Sequence, residues 1–235
     1  MIVSIHQPHF LPWLGYFNKV FNSDVFVWLH NVQYRKNYFQ SRTRIKNPHN
    51  SEPYWLTVPV HAPFGTQIDQ VYQANDRWVG GMVKTIDQFY KKAPHYDSLA
   101  PDLLSIITSG ETNLDQLNYK LFQLLLSKLQ FPGKVIRVEE LLPLSEEPNE
   151  RLIEICKKLN ADGYVAGKGG RNYVNLDQWS AAGVSVYWQD FNADSIIYPQ
   201  RGEGFIPGLS IIDCIFNIGL ESTRSLINNA WKLTT

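Results

Sequence analysis

Two histidines, His6 and His9, stand three residues apart in His6-Gln7-Pro8-His9, directly after the apolar segment Ile2–Ile5. Imidazole changes charge near neutral pH, so such a pair can act as acid and base or stabilise a transferring group. Gln7 between them can donate to a developing oxyanion. A zinc site would need further ligands, and the chain has no His-x-x-x-His or Cys-x-x-Cys spacing, so no metal is expected. The plainer alternative is that His6 ends a strand on a backbone hydrogen bond while His9 is exposed.

Three further groups carry chemistry. Arg42 and Arg44 alternate, so on an extended backbone they share a face, and their guanidinium forks suit phosphate or carboxylate. Tyr34, Tyr38 and Phe39 lie close by in sequence. The turn Gly167-Lys168-Gly169-Gly170-Arg171, with Tyr173 after it, could bring backbone amides and cations to an anion. A turn that merely needs positive φ is the alternative. Asp213 and Asn217 fall four apart on one face of an apolar helix and need partners. Ser210 with Asp213 also fits a helix capping box.

These residues must be positioned by alternating elements. Ile2–His6 reads as a strand, Leu14–Phe21 as a helix and Asp24–Leu29 as a second strand, a β-α-β opening. Residues 33–53 read as a polar, basic, irregular loop. Trp55–Val60 reads as a strand, with Pro59 favouring an edge or end. A helix follows Asp76 as N-cap, and a leucine stripe from Leu114 to Leu129 marks another. Lys134–Val138, Gly163–Ala166 and Val184–Trp188 read as strands. Leu176–Ala182, Ile211–Ile218 and Ser222–Trp231 read as helices. The expected fold is α/β, a mostly parallel Rossmann-like sheet with a helical insertion in the middle of the chain. One domain is expected over residues 1–235: a β-α-β half with its basic loop (1–60), the insertion (76–131) and a second α/β half (134–235).

Composition narrows the classes. The 235 residues are 44% hydrophobic and 19% charged, as in a folded globular protein. Lysine plus arginine and aspartate plus glutamate number 22 each, which gives no strong nucleic-acid signal. No uncharged run reaches the ~18 residues of a membrane span, and no leader is expected, so the expected location is cytoplasmic. Cys156 and Cys214 read as buried small hydrophobes, not as a disulfide framework.

The sequence resembles the WbqC-like family nearly end to end. The likeness rests on His6-Gln7-Pro8 and Leu11-Pro12-Trp13-Leu14-Gly15-Tyr16-Phe17. It continues through Arg42-x-Arg44-Ile45-Lys46 and Trp55-Leu56-Thr57-Val58-Pro59-Val60. It ends in Gly167 to Tyr173, Tyr198-Pro199-Gln200 and Leu209-Ser210-Ile211-x-Asp213. Similar proteins usually carry two acidic residues where this chain has His30-Asn31, so an acid or metal role there does not transfer. The resemblance implies a place in bacterial surface polysaccharide biosynthesis, and a glycine transferase has been suggested for one member. A weaker, fold-level likeness is to nucleotidyltransferases with a HIGH-type signature, although the Gly-His of that signature is missing.

Three functions are therefore weighed. The first is a transferase moving a small aminoacyl or acyl group onto an amine or hydroxyl of a sugar precursor. His6 would be its base, and Asp213 would orient His6 or the acceptor. Gln7 with the Gly169 and Gly170 amides would hold the oxyanion. His9, Arg42, Arg44, Gly167, Lys168, Arg171, Tyr173, Gln200 and Asn217 would bind substrate. The second is an ATP-dependent ligase, with His6, His9 and Lys168 on a Mg-bound triphosphate. The third is a non-catalytic sugar-nucleotide-binding module. The cofactor is left open between ATP with magnesium and an acyl donor. The expected partner is a small molecule, a sugar or nucleotide-sugar.

Overall fold

The structure, a computed structural model, describes residues 1–229 and the backbone of 233–234. In chain order the strands are β1 (Ile2–His6), β2 (Val25–Trp28), β3 (Arg42–Lys46), β4 (Pro53–Thr57), β5 (Val60–His61), β6 (Tyr72–Gln73), β7 (Lys134–Arg137), β8 (Gly163–Ala166), β9 (Ser185–Gln189) and β10 (Leu233–Thr234). The helices are α1 (Leu14–Phe21), α2 (Arg77–Tyr90), α3 (Ala100–Ile107), α4 (Leu114–Lys128), α5 (Pro148–Lys158), α6 (Leu176–Ala181) and α7 (Ile211–Asn229).

The main sheet has the order β10-β9-β8-β1-β2-β7, with β9, β8, β1, β2 and β7 parallel neighbours and β10 antiparallel at the edge. From β1 the chain builds outward through β2 to β7, then returns to add β8 and β9 on the other side of β1. The direction of growth reverses between β1 and β8. In open α/β sheets the crevice at the carboxyl ends of such strands takes the ligand. Helices α2 to α4 form the insertion between the two halves.

Strand alternation sends side chains to two separate cores. Phe26 and Trp28 pack with Tyr16 and Phe17 of α1, Phe122 of α4 and Phe216 of α7. Trp28 stacks on Phe122 at 4.8 Å. Val3, Ile5, Val25 and Val27 face the opposite way, onto Ile155 and Cys156 of α5 and Trp179 of α6. Both cysteines are buried thiols. The Trp13 indole folds over Gly15, where any Cβ would overlap it. None of the described helices is long and apolar enough to cross a membrane.

Several local expectations are corrected. Residues 42–46 are not loop but β3, which pairs with β4 as a hairpin, Arg44 opposite Trp55. The expected strand Trp55–Val60 is split: β4 ends at Thr57 and β5 begins at Val60, with Pro59 at the break. Asp76 does not cap α2 with its side chain; the Asn75 carboxamide accepts from Arg77 N instead. The two expected closing helices form one run kinked at Gly219, whose φ of 83° and ψ of 171° interrupt the helix. Trp231, the expected end of the last helix, lies outside the described residues.

Leu11 adopts φ 43° and is fully buried. Its carbonyl accepts from Thr43 Oγ1 at 3.0 Å and from Ser210 Oγ at 2.8 Å. Thr43→Val or Ser210→Ala alone is expected to cost about 1 kcal/mol, because one donor remains. The double variant leaves a buried carbonyl bare and should cost about 1–3 kcal/mol beyond the sum. Denaturant unfolding of the four proteins measures this; strict additivity would refute the shared anchor.

Candidate functional site

His6 ends β1, in register with Trp28 on β2. Its Nδ1 lies 2.8 Å from the Gln7 carbonyl, which can only accept, so Nδ1 carries the hydrogen and Nε2 keeps a lone pair. Burial, with the Lys19 ammonium nearby, pushes the imidazole down to about 3, so it is neutral at physiological pH. His9 departs from the plainer expectation of exposure: it is only 4% exposed. Neither of its ring nitrogens has a hydrogen-bond partner among the described residues, and burial followed by His6 lowers its affinity for a proton. A buried imidazole with both nitrogens bare is uncommon in a satisfied interior.

The surroundings of His9 run without a break to the basic hairpin. Its ring meets His6 edge-on at 4.8 Å and lies 5.7 Å from Phe39. Phe39 is 5.8 Å from Trp55. The Arg42 guanidinium lies over the Trp55 ring at 4.2 Å, and that of Arg44 lies at 5.9 Å. Neither arginine pairs with a carboxylate among the described residues, and the Nε of each is buried without a partner. Arg44 donates one Nη2 bond to the Gly208 carbonyl at 3.2 Å. Imidazoles, aromatic faces and two unpaired guanidiniums thus form one surface. Sequence alone paired the arginines but missed Trp55; an arginine facing tryptophan across a hairpin was the available signal.

Gln7 joins this surface through Gln40, whose Nε2 donates to Gln7 Oε1 at 2.8 Å. Gln40 is fully buried and also accepts from Arg35 N. The Gln7 amide is therefore already oriented by a second carboxamide.

The glycine turn follows β8 as a single turn of 3-10 helix, and none of its glycines has positive φ. The Gly170 amide donates to the Gly167 carbonyl at 2.8 Å, so it is not free to hold an oxyanion. Gly170 instead packs against Ala166 and Trp188. Lys168, Gly169 and Tyr173 are exposed, and Arg171 lies over Trp188 at 4.7 Å.

Asp213 does not touch His6. It is fully buried on α7, accepting from Tyr90 Oη at 2.5 Å and from Tyr198 Oη at 2.8 Å. Both oxygens are occupied, so orienting His6 is not its role. Ser210 Oγ serves Leu11 and not the helix end, so the capping box is not made. Asn217 Nδ2 donates inside the helix to the Asp213 carbonyl at 2.7 Å. Gln200 makes two bonds to the Ile206 backbone, closing its own loop and fixing the carboxamide.

A second polar group sits at the ends of β2 and β7. His30 Nε2 contacts Glu139, Glu139 accepts from Arg137 Nε at 2.6 Å, and Arg137 reaches Asp115 at 2.8 Å. Trp28 Nε1 donates to the other Asp115 oxygen at 2.7 Å. Burial opposes ionisation of Glu139, but the hydrogen bonds from Arg137 and His30 prevail and hold its carboxyl at about 2. No group of three or more His, Cys, Asp or Glu among the described residues is arranged to hold a metal ion.

A shallow groove of about 570 Å³ opens at the opposite, amino edge of the sheet, lined by Ile2, Asp24, Gly133 and Lys134 among others. None of its side chains carries a buried polar atom without a partner. The carboxyl edge is the better candidate on chemical grounds.

The WbqC-like protein family matches residues 7–225. The chain belongs to this family. It is also 30% identical over 223 residues to an uncharacterized protein of Mycobacterium tuberculosis, covering 94% of this chain and 95% of that protein. No solved structure matches. The matched region of this WbqC-like chain holds both the hairpin and Asp213.

The Asp213 carboxyl is raised by burial from 3.8 to about 6, against the hydrogen bonds from Tyr90 and Tyr198. The folded state therefore binds this proton more tightly than the unfolded chain. The resulting stabilisation is complete below 3.8 and is lost as pH rises through about 6. It corresponds to about 3 kcal/mol. Asp213→Asn, which cannot ionise, is expected to flatten unfolding free energy across that window. Urea unfolding at stepped pH reads this; an unchanged slope would assign the titration to another group.

Proposed function

We propose that this protein is a transferase that moves a small aminoacyl or acyl group onto an amine or hydroxyl of a sugar precursor, in bacterial surface polysaccharide biosynthesis. Membership of the WbqC-like family is compatible with a biosynthetic enzyme. The observation that carries the reading is the surface running from His6 and His9 to Arg42 and Arg44, at the strand ends where the sheet reverses. It offers a neutral proton acceptor, an aromatic face and two unpaired cations.

In this reading Arg42 and Arg44 bind a phosphate or carboxylate of the substrate, and the partly exposed Trp55 stacks on a sugar or base. His6 accepts the acceptor's proton at Nε2, because Nδ1–H is committed to the Gln7 carbonyl. An anion bound at the arginines works against the depressing effect of burial and Lys19, which brings His6 closer to a useful base. Gln7, held by Gln40, and the Gly169 amide are the remaining donors for a developing oxyanion. Asp213 serves from behind, anchoring Tyr90 and Tyr198. The same tautomer disfavours the ligase reading: a lone pair at Nε2 repels a phosphate oxygen, where a donor would be needed.

The test is a thermal-shift screen of nucleotide sugars, acetyl-CoA and ATP with and without magnesium. A ligand at 100 times its Kd should add about 2.7 kcal/mol. A nucleotide sugar is expected to stabilise the protein, and Arg42→Ala to abolish that shift. With a matched donor and acceptor, His6→Ala should cut turnover by ~10²–10⁴ while leaving the unfolding midpoint in place. Full activity in His6→Ala, or magnesium-dependent pyrophosphate release from ATP, would overturn the assignment.

A further inference from the structure

The loop after β2 and the 3-10 turn at Ile68–Gln70 are clipped together by the hydrogen bond from Ile68 N to the Val32 carbonyl at 3.0 Å. Three polar atoms on these two segments are buried without a hydrogen-bond partner among the described residues: His30 Nδ1, Asn31 Oδ1 and Asp69 Oδ1. His30 is only 5% exposed. Its Nε2 lies against the ionised Glu139 and carries a hydrogen toward it, so a ring holding that one hydrogen presents a lone pair at Nδ1. That lone pair faces Asp69 Oδ2 at 3.7 Å, too far for a hydrogen bond between them.

Charge points the same way as the bare acceptors. Of the carboxylates Asp69, Glu139 and Asp115, the Arg137 guanidinium serves only Glu139 and Asp115. Asp69 has no lysine or arginine partner among the described residues; the basic group nearest it there is the His30 ring. Acceptors without donors and a carboxylate without a permanent cation call for a group that supplies N–H bonds and positive charge together. The same residues do not make a metal cluster.

We infer that His30, Asn31 and Asp69 form a subsite for a primary ammonium group of the substrate, bridging the gap between His30 Nδ1 and Asp69. The subsite belongs to the same sheet edge as the transfer surface: Leu29 N donates to the His6 carbonyl, one residue before His30. It rests on the proposed function in one respect, since it names the substrate of that site as carrying an ammonium as well as the anion held by Arg42 and Arg44. An amino sugar and an aminoacyl group both fit.

The experiment is an NMR titration of the His30 ring resonances with glycinamide at pH ~6.5, where its amine is protonated, and with neutral N-acetylglycinamide. Glycinamide is expected to give a saturable shift, N-acetylglycinamide none. Asp69→Asn, isosteric and near the surface, should weaken glycinamide binding by ~10-fold or more, which is about 1.4 kcal/mol. Equal shifts from both amides, or no shift from glycinamide, would overturn the subsite without any variant. So would broadening of His30 by micromolar manganese that glycinamide cannot reverse, which would assign the cluster to a metal. Binding is read without turnover. Loss of transfer activity in every assay would thus refute the transferase reading alone, and loss of glycinamide binding the subsite alone.

Discussion

The carbonyl oxygen of Leu11 accepts from Thr43 and Ser210, and through it the first turn, the β3–β4 hairpin and the start of α7 share one anchor. Leu11 is held in the left-handed region at φ 43°, a conformation costing about 1–2 kcal/mol for an L residue. Such strain persists only where the surroundings over-determine it. Backbone bonds from Ser210 N to Arg44 and from Ile211 N to Pro12 complete the clamp. His9 lies two residues before the anchor, Arg42 beside Thr43 and Asp213 one turn beyond Ser210. Residues distant in the chain are brought to one place by two hydroxyl groups and a strained turn.

The interior elsewhere is well satisfied, which gives the exceptions meaning. Among the described residues, buried side-chain polar atoms without hydrogen-bond partners are on His9, His30, Asn31, Arg42, Arg44, Asp69, Asn118, Arg137 and Arg151. All but Arg151 lie on the segments gathered around the ends of β1, β2 and β7 or on helix α4 behind them. A desolvated donor or acceptor without a partner costs about 1–3 kcal/mol. Concentrating that cost on one sheet edge leaves a surface whose polar groups gain most from a ligand. Asp213 shows the opposite arrangement: both oxygens are bonded, and its contribution is support for the hairpin and the loop carrying Tyr198.

Much of this was legible in the chain. A short apolar run followed by a turn and an amphipathic helix identifies β1 and α1, because side-chain direction follows backbone geometry over a few residues. Repetition of strand and helix then implies a parallel sheet. The alternation of Arg42 and Arg44 puts both on one face, and β3 keeps them there. The same local rules failed at residues 42–46 as an element, because polar side chains hid a strand that only pairing with β4 stabilises. They failed again at the glycine turn, where none of the glycines has positive φ and Gly170 instead packs closely against Ala166 and Trp188.

The sequence by itself determined the element order, the Rossmann-like class and the handover from β1 to α1 where the histidines sit, since these depend on spacing along a few turns of backbone. Only the tertiary structure decided which polar groups are left bare. Asp213 finds its phenol 123 positions away on Tyr90, and His30 finds Glu139 109 positions away. His9 finds no hydrogen-bond partner among the described residues. Burial and charge pairing are properties of what meets across the fold, and no periodicity in the chain encodes them.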